Sequence, residues 1–101
     1  MKTCMRPRAK IAASTEHVEA FKALSHLSRL RVFFFVVHAA REVNVGQIQA
    51  ALAIPGPTLS HQLEILRRAG LLERRREERF IYFSARPVMV TALVRLLSAC
   101  C

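Results

Sequence analysis

The stretch Ile54–Gly70, "IPGPTLSHQLEILRRAG", carries the clearest fold signal in the chain. Its "PGP" forms a tight turn, and Pro57 suits the first helical position, where the N–H has no intrahelical partner. Apolar residues then recur at helical spacing, at Leu59, Leu63, Ile65 and Leu66. Gly70 stands where a helix end needs a left-handed residue. The pattern predicts a helix that begins at Pro57 and ends before Gly70.

A second short helix is predicted just upstream, from about Gly46 to Leu52. Two short helices joined by a turn with Gly and Pro, the second rich in small polar side chains, are typical of a helix-turn-helix. We predict that the second helix exposes four side chains near its N-terminus that suit base edges or phosphates: Thr58, Ser60, His61 and Gln62. Further along this helix, Arg67 and Arg68 are placed for contacts with the DNA backbone.

The next segment, "LLERRREERFIYFSA" (residues 71–85), changes character. It predicts two short strands around the charged turn "REER". The cations concentrate in this hairpin, at Arg74, Arg75, Arg76 and Arg79. A basic hairpin after a helix-turn-helix fits a wing that contacts the adjacent groove or its phosphates.

The remaining segments complete a mainly α-helical order with a β-hairpin wing, α-α-α-α-β-β-α. Residues 1–14 are expected to form a basic N-terminal arm, and residues 15–101 a single domain. Thr15 is the predicted N-cap of the first helix, and Ser25 is the predicted N-cap of the second helix. The second helix is apolar nearly all round and should be the central core helix. A last helix follows Pro87. Its apolar residues cover most of its circumference, which favours burial against a second copy of itself.

Composition narrows the function. The 101 residues carry 16 Lys and Arg against 7 Asp and Glu, a formal charge of +9, which favours a polyanionic partner. The most apolar run, residues 32–40, is far shorter than the roughly 20 residues that span a bilayer, and the N-terminus lacks a signal-peptide pattern, so we expect a cytoplasmic protein with no membrane partner. No phosphate-binding Gly loop, paired carboxylates or Ser/His/Asp set stands out, and we predict that the protein is not an enzyme.

The stretches "ALSHLSRLRV" and "TLSHQLEILRRAGLL" resemble the winged-helix ArsR/SmtB repressors, and the similarity covers roughly residues 18–85. The resemblance implies a homodimer built on the first and last helices. It also implies that the dimer binds operator DNA without an inducer and releases it when a metal or metalloid binds. By the family pattern, residues 58–62 lie on the recognition helix.

The chain departs from the family pattern at three places. The segment "NVGQIQ" has no thiol where many relatives carry a cysteine-containing box, and the last helix lacks the Asp and His ligands of zinc sensors. The wing turn has Glu78 where many relatives have Gly. The ending "VMVTALVRLLSACC" looks like the arsenical sensors that carry a vicinal cysteine pair on the dimer helix.

The chemistry of the cysteines suits a soft inducer. Adjacent cysteines rarely bond to each other, because the ring is strained, but together they suit an ion that prefers thiolate. We therefore expect Cys100 and Cys101 to bind trivalent arsenic or antimony, with Cys4 as the candidate third ligand; a methylated arsenical such as methylarsenite needs only two thiols. Thiol redox control, or no small-ligand control, remains the alternative, although the second helix lacks the thiol that redox sensors of this family use. A third alternative is an interaction module whose basic wing binds an acidic protein.

Overall fold

The computed structural model of the chain describes residues 13–99. Five helices are present, at Thr15–Leu24 (α1), Leu27–Ala39 (α2), Val45–Leu52 (α3), Gly56–Arg68 (α4) and Pro87–Ser98 (α5). Three strands are present, at Val43–Asn44 (β1), Leu72–Glu77 (β2) and Phe80–Ala85 (β3). The order confirms the predicted winged helix-turn-helix and adds one short strand, β1.

Helix α2 lies at the centre of the core, as predicted, and packs against α1, α3, α4 and β3. It buries Val32, Phe33 and Val36 in the same core cluster as three leucines of α4. These leucines, Leu59, Leu63 and Leu66, are at most 1% exposed. Its burial is not all round, however. Phe34 remains 53% exposed, so the outer side of α2 is open.

The two predicted N-caps are each displaced. Helix α1 is capped by Ser14 instead of Thr15. The Ser14 hydroxyl accepts a hydrogen bond from the His17 backbone N–H at 3.4 Å, and the His17 Nδ1 accepts one from the Ser14 N–H at 3.1 Å. The predicted cap at Ser25 is wrong because its hydroxyl serves the preceding helix, donating to the Lys22 carbonyl at 2.7 Å. Helix α2 instead starts after His26, whose side chain makes no capping bond.

Strand β1 falls in a stretch for which the sequence pattern predicted no helix or strand. Its residues pair with the wing, Val43 with Phe83 and Asn44 with Tyr82, in a sheet of order β1-β3-β2. Asn44 also caps α3, because its side chain accepts a hydrogen bond from the Gln47 N–H at 2.8 Å. Two residues are too few to show strand alternation, so sequence periodicity cannot detect this element.

The predicted end of α4 at Gly70 is confirmed. Gly70 has φ 81°, in the left-handed region, and its N–H donates to the Arg67 carbonyl at 3.0 Å. The Leu71 N–H donates to the Leu66 carbonyl, also at 3.0 Å. These two bonds form a Schellman motif, which satisfies the last carbonyls of α4 and turns the chain directly into β2.

Helix α5 is the least buried helix of the fold. Of its residues only Leu93 is buried, while Val88, Val94 and Leu97 are 76%, 60% and 69% exposed. An apolar surface of this kind lacks a partner within the described part of the chain. None of the helices in residues 13–99 combines the length and apolarity that a membrane crossing requires.

Candidate DNA-binding surface

Helix α4 presents one face to the core and the opposite face to solvent. The inward face is set by Leu59, Leu63 and Leu66. Three of the four predicted base-contacting residues, Thr58, Ser60 and His61, are exposed. They lie in the first turns of α4, where the positive end of the helix dipole favours approach to phosphate. The helix therefore offers a polar, uncovered N-terminal half to a duplex.

Gln62 does not share this exposure, and the prediction that α4 exposes it is wrong. It is 7% exposed and its side chain turns toward the core. The physical reason is helical geometry, because Gln62 lies three residues after Leu59 and four before Leu66, on the inward side. The position of Gln62 in the helical repeat therefore predicts its burial better than its polar side chain predicts exposure.

The buried Gln62 amide has a defined partner that the sequence analysis did not single out. Arg29 of α2 donates from Nη1 to Gln62 Oε1 at 3.4 Å and from Nε to the Ala23 carbonyl at 2.7 Å. Arg29 thus links the end of α1 to the middle of α4. The only sequence signal was an Arg at the start of a helix that is otherwise rich in apolar residues.

Three arginines converge on one carboxylate on the outer side of α4. Arg67 donates to Glu64 through Nε at 2.9 Å and through Nη2 at 2.5 Å. Arg68 donates from Nε at 3.0 Å, and Nη1 of Arg74 in β2 lies 3.8 Å from the same carboxylate. The hydrogen bond from Arg67, followed by that from Arg68, lowers the pKa of Glu64 from 4.5 to about 2. The predicted backbone-contacting residues Arg67 and Arg68 are therefore already paired.

Arg75, a predicted wing contact, is paired as well. It donates to both oxygens of Glu42 at 2.7 and 2.9 Å and to Glu77 at 3.0 Å, and its guanidinium lies 4.9 Å from the centre of the Tyr82 ring. These hydrogen bonds, led by the one with Glu42, raise the pKa of Arg75, and the bond from Arg75 lowers the pKa of Glu42. Arg75 therefore ties the wing to the segment before β1.

The arginines at the tip of the wing form fewer interactions within the described part of the chain than Arg75 does. Glu77 pairs with Phe80, so the turn consists of Glu78 and Arg79. Within residues 13–99, Arg79 forms no ion pair, and the one side-chain hydrogen bond of Arg76 is a 3.5 Å bond to the Glu78 carbonyl. Glu78 adopts a φ of 55°, in the left-handed region that glycine adopts with less strain than other residues. The tip thus projects two arginines and the half-exposed Phe80 into solvent.

The predicted metalloid ligands Cys4, Cys100 and Cys101 lie outside the described residues. Within residues 13–99, no group of three or more His, Cys, Asp or Glu side chains is placed to hold a metal ion. The sequence nevertheless fixes one relation: Cys100 directly follows Ala99, the C-cap of α5.

Comparisons with known proteins agree with this architecture. The family described as a helix-turn-helix domain matches residues 24–75. The chain is 36% identical over 86 residues to the biofilm growth-associated repressor of Agrobacterium fabrum, covering 85% of this chain and 72% of that protein. It is 39% identical over 66 residues to the transcriptional repressor SmtB homolog of Synechocystis, covering 65% and 48%.

The solved structures give the same result. The transcriptional repressor BigR from Xylella fastidiosa superimposes with a TM-score of 0.65 at 30% identity, covering 85% of this chain and 87% of that one. These relatives are transcriptional regulators, not enzymes, which confirms the absence of an enzymatic role. The chain belongs to the winged-helix ArsR/SmtB family of DNA-binding transcriptional regulators.

Proposed function

We propose that this regulator is a homodimeric repressor that binds a palindromic operator and is released when trivalent arsenic or antimony binds its cysteine thiolates. The observation that carries the proposal is the exposure of three large apolar side chains, Val88, Val94 and Leu97, on α5, the helix that leads along the chain directly into the cysteine pair.

The dimer is supported by the exposure of α5. Val88, Val94 and Leu97 are each at least 60% exposed, and each gains about 1.5–3 kcal/mol when it is fully buried. Val18 of α1 is also 48% exposed. A twofold arrangement covers the same apolar patch on both copies at once, and pairing through the first and last helices would do so here.

The operator follows from the dimer. One α4 reads one half-site, and a twofold pair reads an inverted repeat whose half-sites lie roughly 34–36 Å apart, one turn of the duplex. Exposed Thr58, Ser60 and His61 would meet base edges, while Arg76 and Arg79 of the wing would meet phosphates. Affinity then depends on the spacing of the two helices.

The inducer is argued from donor chemistry. Thiolates select soft centres, and Cys100 with Cys101 supplies two adjacent donors that Cys4 would complete to three. Bound trivalent arsenic or antimony would supply a cross-link among thiolates. Because the pair follows α5 in the chain, a ligand there would bias the proposed interface. A coupling of about 1–3 kcal/mol, roughly 5–150-fold in affinity, is the usual scale for such release.

Operator release tests the proposal. We would select a binding duplex from a random library, label it, and follow its anisotropy with the full chain as arsenite or antimonite is added under a non-thiol reductant. We expect release of the wild type and no release of the Cys100→Ser/Cys101→Ser variant. A Cys4→Ser variant asks whether a third thiol is needed, with methylarsenite as the two-thiol comparison.

Two results would contradict the proposal. Arsenite release that survives in the double serine variant would eliminate the thiol site. Release by a mild oxidant but not by arsenite, absent in the same variant, would assign redox control instead. A salt series addresses the acidic-protein alternative, because duplex binding must weaken linearly in the logarithm of salt concentration.

A further inference from the structure

We propose that Glu64 is an internal competitor for DNA phosphate, which holds Arg67, Arg68 and Arg74 and so suppresses binding to duplexes that lack the operator. The inference rests on the proposed use of α4 and the wing as the DNA-binding surface. It assigns a specificity-determining role to an acidic side chain of a strongly basic protein.

The position of Glu64 places it on that surface. It lies three residues after the exposed His61 and four before Arg68, and so shares their side of α4. Its side chain is 31% exposed, and Arg74 reaches it from β2. A carboxylate in this place faces the same solvent region that a phosphate backbone would enter, where its charge repels the duplex.

The geometry of the cluster imitates that of a phosphate contact. Arg67 uses two nitrogens on the two oxygens of Glu64, the parallel arrangement that guanidinium groups also form with phosphate. A phosphate can recruit these arginines only after they leave Glu64. Each such exchange trades one anionic partner for another, so it adds less affinity than an unpaired arginine would.

This exchange affects the two kinds of duplex unequally. Binding outside the operator depends almost entirely on phosphate contacts, so withholding three cations weakens it most. The operator adds base contacts from the exposed residues of α4, which do not involve Glu64. Holding the arginines therefore raises the ratio of specific to non-specific affinity without any new contact with a base.

The test compares two variants with the same change of charge. Glu64→Gln releases the three arginines, whereas Glu73→Gln removes an equally negative, exposed side chain of β2 that forms no ion pair within residues 13–99. Binding of each 101-residue variant to a scrambled duplex and to the selected operator duplex is measured over a salt series. Circular dichroism melting verifies that each variant is folded.

We expect Glu64→Gln to bind the scrambled duplex about tenfold more tightly than Glu73→Gln does, with a salt slope steeper by about 0.9 for each phosphate gained. The operator affinity should rise less, so the specificity ratio falls. In a double-mutant cycle, Arg68→Ala should weaken scrambled-duplex binding more in the Glu64→Gln background than in the wild type.

Three outcomes overturn the inference. Equal behaviour of the two glutamine variants would show that Glu64 does not withhold the arginines. Loss of operator affinity in Glu64→Gln, confined to particular base pairs, would show that Glu64 reads a base, as carboxylates do at the cytosine amino group. Failure of the wild type to bind either duplex at low salt would refute the DNA-binding surface itself.

Discussion

Several outward side chains of α4 and the wing have interaction partners within the chain, whereas the outward side chains of α5 do not have comparable partners among residues 13–99. Around α4, Arg67, Arg68 and Arg75 already have carboxylate partners within the chain. On α5, Val88, Val94 and Leu97 have no comparable cover among residues 13–99. Arginines that await a phosphate can pair in the meantime with a carboxylate of the same chain. Exposed apolar side chains, in contrast, can be covered only by another apolar surface.

Adding charge to α5 has the largest expected effect. Val94→Glu with Leu97→Glu should give a monomer and reduce operator affinity by about 100-fold or more, because a charge buried at a subunit interface without a partner is strongly unfavourable. Sedimentation velocity and operator anisotropy measure the two effects. Leu27→Glu, at a position 73% exposed on α2, is the matched control and should leave the mass unchanged. A dimer that survives both α5 substitutions would place the interface elsewhere.

The next largest effect concerns the hydrogen bond between Arg29 and Gln62, which links α2 to the inward side of α4. Gln62→Ala should lower the free energy of unfolding by about 1–3 kcal/mol, because Arg29 loses a partly buried acceptor. Denaturant unfolding measures this change. The exposed neighbour gives the control: His61→Ala should alter stability by less than about 0.5 kcal/mol while weakening operator binding. If Gln62→Ala instead changed the preferred operator sequence at unchanged stability, that result would support the predicted base contact of Gln62.

A smaller effect separates two arginines of the wing. Arg79→Ala should reduce the slope of log affinity against log salt by about 0.9, the value for one lost phosphate contact. Arg75→Ala should reduce the slope less, because Arg75 is held by Glu42 and Glu77. The ion pairs of Arg75 are half exposed, so Arg75→Ala should change the stability little. Equal slope changes would indicate that the pairs of Arg75 open fully on DNA.

The smallest expected effect is a pH dependence at Glu64. Its pKa is about 2 in the folded protein against an ordinary value of 4.5, so the unfolded state binds more protons between these limits. The stabilisation from Glu64 is therefore present above about pH 4.5 and is lost as pH falls toward 2. Thermal melts over this range should show a weaker pH dependence for Glu64→Gln than for the wild type. Identical dependences would mean that the cluster does not form in solution.

Local sequence signals predicted the elements that depend on a few neighbouring residues. Pro57 lies in the first turn of α4, and Gly70 ends that helix in a left-handed conformation. The charged hairpin was also predictable, because its strands and turn are contiguous. These features need only backbone preferences and short-range periodicity.

Features that depend on distant residues were not predictable in this way. Glu42 and Arg75 are far apart in the chain, and so are Arg29 and Gln62, so only the folded topology brings either pair together. The inward turn of Gln62 had a local signal in its spacing from Leu59, which the polar residue type obscured. Ser14 and Thr15 are both good capping residues, so the choice between them required the observed hydrogen bond.

The mass of the 101-residue chain in solution decides whether α5 pairs with a second copy, on which every proposed coupling between DNA and thiols depends. Sedimentation equilibrium at micromolar concentration under reducing conditions should give twice the chain mass of 11.4 kDa. Added arsenite should leave that dimer intact while it releases the operator. A mass of 11.4 kDa across the concentration range would show that α5 has no second copy to cover it and would contradict the account.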